Sequence, residues 1–104
     1  MAIVDITVIP IGTENPSVSS YVANIQEILK EYEEKGVIRY RLTPMSTIIE
    51  GELGQLLEVI KSIHEAPFQR GVHRVATNIR IDDRRDKKAT MERKLESVEK
   101  HLHK

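Results

Sequence analysis

Three short polar side chains, Ser46, Thr47 and Glu50, stand among apolar neighbours in the stretch Thr43–Glu52, TPMSTIIEGE. A proline ahead of them and a glycine behind mark a loop entering a strand and a turn leaving it. Hydroxyls and a carboxylate in apolar surroundings line a small-molecule pocket well, because the walls exclude water while a few polar groups fix orientation. A strand alternates its side chains, so Ile48 and Ile49 point to opposite faces, and Thr47 is split from Ser46 and Glu50. Both faces of this strand therefore need cover. A carboxylate at a strand end can close a hairpin facing solvent, or it can hydrogen-bond a nitrogen heterocycle or balance a ligand cation. Residue types leave both roles open for Glu50.

Other chemistry finds little footing. There is no cysteine, which excludes disulfides, zinc-thiolate sites and thiol catalysis. His64, His73, His101 and His103 do not share a helical face at ligand spacing, so no metal is expected. No nucleophile-elbow glycine pattern accompanies the serines, and neither phosphate-cradling glycine motif occurs. No catalytic residues and no cofactor are assigned. The run Asp82, Asp83, Arg84, Arg85, Asp86, Lys87 mixes signs, which spoils it as a metal or an anion site; it reads as an ion-pair network at a turn or subunit interface.

These residues need elements to position them. Ala2–Ile9 is rich in β-branched residues and is expected to end at Pro10, with Val4, Ile6 and Val8 on one face. Its other face carries Ile3, Asp5, Thr7 and Ile9, and is half apolar. After the turn-forming IGTENPS, the spacing of Val18, Val22, Ile25, Leu29 and Tyr32 predicts an amphipathic helix ended by Gly36. Ser17, Ser19 and Ser20 are its candidate caps. Val37–Leu42 alternates, with Arg39 and Arg41 on one face, as suits an edge strand or one facing acidic groups. A short connection at Pro44 makes it a hairpin with Ser46–Glu50. Leu53, Leu56, Leu57, Ile60 and Ile63 then predict a second helix, expected to end near Glu65 because of Pro67. Phe68–Gly71 reads as loop and Val72–Ile81 as the last strand, with Val75, Thr77, Ile79 and Ile81 on one face. From about Ala89, Met91, Leu95, Val98 and Leu102 form a stripe too narrow for a buried helix, and suited to another helix or a neighbouring subunit.

The order β-α-β-β-α-β plus a terminal helix predicts an α+β, ferredoxin-like sandwich: four antiparallel strands with two helices on one face. All 104 residues fit one such domain. Sixteen basic and sixteen acidic residues cancel, which removes any global field toward nucleic acid or anionic lipid. The apolar N-terminus carries Asp5 and lacks a basic leader, and no apolar run approaches the roughly 20 residues of a membrane span, so a cytoplasmic location is expected. RNA-recognition modules share this sandwich but stack bases on aromatic residues of the central strands; here the first and third strands contain none. Apolar residues on both faces of several strands require cover on the open face, and a second copy of the chain is the expected cover.

The segments IVDITVIPIGT, SVSSYVA, LTPMSTIIEGEL and HEAPFQRGVHRVATNIRIDDRRDK resemble the small YkoF-like, thiamine-binding family across nearly the whole chain. The resemblance implies a ferredoxin-like fold assembled as dimers or, more often, tetramers (dimers of dimers). It also implies binding, without established catalysis, of thiamine or its hydroxymethylpyrimidine half. On that implication Ser46, Thr47 and Glu50, with Thr13, Ser19 and Asn78, supply polar contacts to the aminopyrimidine, and Tyr21 or Phe68 offers a ring face. Glu50 would accept from the exocyclic amine or help neutralise the thiazolium. The alternative is a structural or regulatory oligomer, similar to ACT domains, serving another small metabolite.

Overall fold

Alternating β-branched residues build the first strand, β1 (Ala2–Ile11), in the computed structural model, which describes residues 1–13, 18–86 and 90–102. Helix α1 (Ser19–Glu34), strands β2 (Arg39–Leu42) and β3 (Thr47–Gly51), helix α2 (Leu53–Gln69), strand β4 (Arg74–Asp83) and helix α3 (Met91–Leu102) follow. The sheet is antiparallel with order β2-β3-β1-β4, so the first and third strands are central. This is the ferredoxin-like βαββαβ sandwich with an added C-terminal helix.

The core lies between the sheet and the helix pair α1 and α2. Val4, Ile6 and Ile49 from the sheet meet Ile25 and Leu29 of α1 and Leu56, Val59, Ile60 and Ile63 of α2. Each such side chain contributes about 1.5–3 kcal/mol relative to leaving it in water. Ile49 is the core isoleucine of its pair; Ile48 faces the other side of the sheet. Val59 is buried where Leu57 was expected, and Leu57 is exposed: the helix turns its 56, 59, 60, 63 stripe inward.

Two prolines are accommodated inside elements. β1 runs through Pro10, which pairs with Val75 of β4. β3 has already ended at Thr47, opposite Ile6, so β1 is an edge on that side and a missing N–H there breaks no ladder. α2 runs past Glu65 to Gln69, with Pro67 buried against the core, so Phe68 and Gln69 are helical rather than loop. One intrahelical bond is given up near the end, where Arg70 and Val72 N–H groups already turn back to the Pro67 carbonyl at 3.0 and 3.2 Å. Gly71, at φ +89°, then reverses the chain. Strand β4 starts at Arg74 and continues to Asp83, two residues past the expected end.

At the start of α1, Val18 occupies the cap position without a side-chain cap bond, and Ser19 and Ser20 lie in the first turn; Ser17 is outside the described residues. Gly36, at φ +74°, ends that helix. Gly51 is favoured by close approach, since a Cβ there would sit 3.1 Å from the Val37 carbonyl oxygen, tight enough that the backbone would have to give.

Candidate functional site

The cleft arises from unequal strand lengths. β4 pairs with β1 along its whole length, whereas β3 pairs only from Ala2 to Ile6. Beyond Ile6 the edge of β1 opens onto a cleft of about 240 Å³, closed on its other sides by the β2–β3 turn and the first turns of α1. Thr7, Val8 and Ile9 form one wall, Val18, Val22 and Ile25 another, and Thr43–Thr47 the third. Alternate backbone groups along an unpaired strand edge point sideways, into this space.

The turn that forms the third wall is stiffened by its own side chains. The Thr43 N–H and hydroxyl both donate to the Ser46 carbonyl at 2.8 Å, and the Ser46 N–H donates to the Thr43 hydroxyl at 3.0 Å. Behind it, the Gln26 side-chain amide of α1 donates to the buried Thr47 hydroxyl at 3.1 Å. The Thr47 oxygen is thereby used as an acceptor, which leaves its proton for an acceptor in the cleft. The described lining offers hydroxyls and apolar surface, and contains no carboxylate, imidazole, amine or guanidinium.

On the other flank of the first turn of α1 lies a wider hollow of about 810 Å³. Thr13, Ser19, Ser20 and Tyr21 line one side of it, and Arg70 to His73 the other. Arg70 is fixed there: its Nη1 donates to the Ser20 carbonyl at 3.0 Å, and its guanidinium carbon stands 4.5 Å over the Tyr21 ring.

Glu50 is elsewhere. It lies three residues along β3 from Thr47, roughly 10 Å away, and on the opposite face of the sheet. Its side chain is 1% exposed. One carboxylate oxygen accepts the Met91 N–H at 2.9 Å, and the other accepts from Arg39 at 3.2 Å. Arg39, Glu50, Ile3 and Asp82 form one cross-strand row, and the start of α3 lies across it. Met91 is buried over the row, Glu92 pairs with Arg39, and Lys94 reaches Asp82. Thr90 caps the helix by accepting the Arg93 N–H at 3.1 Å. The open face, expected to need a second chain, is thus covered along this row by the chain's own α3. The bond from Arg39 holds the Glu92 carboxyl below its ordinary range and lifts the Arg39 guanidinium above its own.

Of the eight residues expected at a site, the structure brings Ser46 and Thr47 to the cleft and Thr13, Ser19 and Tyr21 to the adjoining hollow. Phe68 sits on the last turn of α2, edge-on to His64 with ring centroids 5.6 Å apart, outside both linings. Asn78 is exposed on the open face beside Thr7. Gln26 and Arg70 were not anticipated. A polar residue one position beyond the apolar Ile25 was a faint signal for Gln26; Arg70 sat in a segment read as loop. The acidic-basic run forms local pairs, Arg84 with Asp86 and Arg85 with Asp83, and no group of three candidate metal ligands occurs among the described residues.

A family model described as thiamine-binding protein matches residues 4–99. The chain belongs to the thiamine-binding protein family. The UPF0045 protein YqgV of Bacillus subtilis is 70% identical over 102 residues, covering 98% of each chain. A UPF0045 protein of Methanothermobacter thermautotrophicus is 43% identical, covering 98% of this chain and all of its own. Among solved structures, the protein MJ1052 of Methanocaldococcus jannaschii superposes with a TM-score of 0.80 at 33% identity, over 93% of this family member and 94% of that chain. A Thermotoga maritima protein at 20% identity shares the fold, with a TM-score of 0.75. Among the described residues of this member, no helix is long and apolar enough to cross a membrane.

Proposed function

We propose that this chain binds thiamine, or its hydroxymethylpyrimidine half, without catalysing a reaction on it, and that the pyrimidine enters the cleft beside Thr47. Family membership supports the ligand class; the observation that supports the place is the buried Thr47 hydroxyl, held by Gln26 at the wall of a slot of hydroxyls and apolar surface. An aminopyrimidine is flat, with ring-nitrogen acceptors and an exocyclic amine donor. Thr47 donates to a ring nitrogen, Ser46 and the unpaired edge of β1 supply further groups, and Val18, Val22 and Ile25 face the ring. The volume, about 240 Å³, is below the roughly 300 Å³ at which pockets begin to enclose drug-sized ligands, which favours the pyrimidine half inside and the remainder outside.

A lining of hydroxyls and aliphatic side chains holds no acid–base pair or activated nucleophile, which supports binding over turnover. Glu50 has a different part in this reading: it anchors α3 and makes no ligand contact. The oligomer belongs to the proposal too. Leu95, Val98 and Leu102, at 55, 57 and 74% exposure, and Ile9 and Ile11 on the sheet, present apolar surface that a second copy would cover. Titration calorimetry with thiamine and with free hydroxymethylpyrimidine tests the reading. Heat with either supports it, and no heat with both at millimolar ligand removes it.

A further inference from the structure

We infer that the hollow beside the cleft is a phosphoryl subsite, so that the preferred ligand is a phosphomonoester of the pyrimidine or of thiamine; this rests on the binding reading above. The two spaces flank one turn of α1: Val18 and Val22 line the cleft, and Ser19, Ser20 and Tyr21 line the hollow. A ligand too large for the cleft extends around that turn.

The chemistry of the hollow is one-sided. Arg70 and His73 contribute basic groups, and among the described residues its lining has no carboxylate, although the chain carries as many acidic residues as basic ones. Arg39, Arg80, Arg84 and Arg85 each pair with a carboxylate, whereas Arg41, Arg74 and Arg93, like Arg70, are in none of the ion pairs among the described residues. What sets Arg70 apart is that a neutral carbonyl and an aromatic face fix it, contacts that orient the guanidinium without neutralising it. With Nη1 on the Ser20 carbonyl, the donors on Nη2 and Nε remain to meet a phosphoryl oxygen, and a planar fork suits that geometry. Hydroxyl-bearing Ser20 and the His73 ring add donors at the rim. The thiazolium of thiamine is a cation and gains nothing from such surroundings, whereas a phosphoryl group esterified to its hydroxyethyl arm does.

The test compares thiamine, thiamine monophosphate and inorganic phosphate on the full chain by calorimetry and thermal shift, with Arg70→Met and Arg70→Lys beside the parent. The monophosphate is expected to bind about tenfold or more tighter than thiamine. Arg70→Met should bring the two within about twofold, and Arg70→Lys should restore part of the gap. A monophosphate that binds no tighter than thiamine, or an advantage that survives Arg70→Met, overturns the subsite and leaves the thiamine reading standing. If thiamine does not bind at all, the earlier reading fails and the hollow is judged on inorganic phosphate alone. Stabilisation by millimolar phosphate over chloride of equal ionic strength, absent in Arg70→Met, then supports an anion site; no stabilisation overturns it.

Discussion

The buried carboxylate of Glu50 accepts the backbone N–H of Met91 at 2.9 Å, joining the centre of the sheet to the first residue of the terminal helix. A helix start has four N–H groups without intrahelical partners, and a carboxylate there satisfies one while favouring the positive end of the helix dipole. With Arg39 on its second oxygen, Glu50 is the pivot on which α3 is mounted.

Glu50→Gln keeps the shape but removes the charge, which weakens the bonds to Met91 and Arg39. A loss of about 2 kcal/mol in denaturant unfolding is expected, since hydrogen bonds to charged groups are worth about 1.5–3 kcal/mol. The earliest sign should be faster amide exchange across Met91–Leu102. Unchanged exchange in that helix would show that Glu50 does not mount it.

Acid should loosen the same joint. Glu92 has its folded-state carboxyl lowered by the bond to Arg39, so this contribution is present above the ordinary carboxylate range and is lost as pH falls through the lowered value. Exchange protection in α3, measured as pH is taken down through the acid range, should fall in the parent and follow a flatter course in Glu92→Gln. Parallel curves for the two proteins would refute the assignment.

Thr47→Val removes the hydroxyl at nearly constant volume. Ligand affinity should fall about tenfold, the scale of one lost hydrogen bond in a dry site, while stability changes by about 1 kcal/mol or less because half-buried Gln26 can turn to water. Calorimetry against hydroxymethylpyrimidine reads the first effect and urea unfolding the second. Parent-like affinity would place the ligand elsewhere.

Leu95→Glu with Val98→Glu puts charge on the exposed stripe of α3. A single chain should keep its stability, since both side chains face solvent. If the stripe seats a second copy, light scattering will show a smaller particle than the parent. An unchanged particle would acquit this helix of a role in assembly.

Much of the fold was legible because its signals are periodic. The 3.6-residue spacing of Ile25, Leu29 and Tyr32, the alternation in β1 and the left-handed Gly36 each act locally and survive in the structure. The misreadings came where tertiary context outranked a local rule. Pro10 stays in its strand because β3 stops short beside it, and Pro67 stays in its helix because its ring is buried in the core. The lining of the candidate cleft was half legible. Ser46 and Thr47 share one wall, but parity sent Glu50 to the far face, where a helix distant in sequence needed its carboxylate. Gln26 and Arg70 gain their positions from packing between elements, which no window of sequence displays.

The shortfall of β3 against β1 leaves main-chain groups of β1 without strand partners along one wall of the cleft. Peptide groups cannot be substituted, so any hydrogen bond made to them is independent of which side chains occupy positions 7 to 9, provided the strand remains extended. Specificity there is a matter of strand arithmetic. Lengthening β3 by two paired residues would seal the slot as surely as any bulky substitution, and would do so by offering the edge of β1 a rival for its hydrogen bonds.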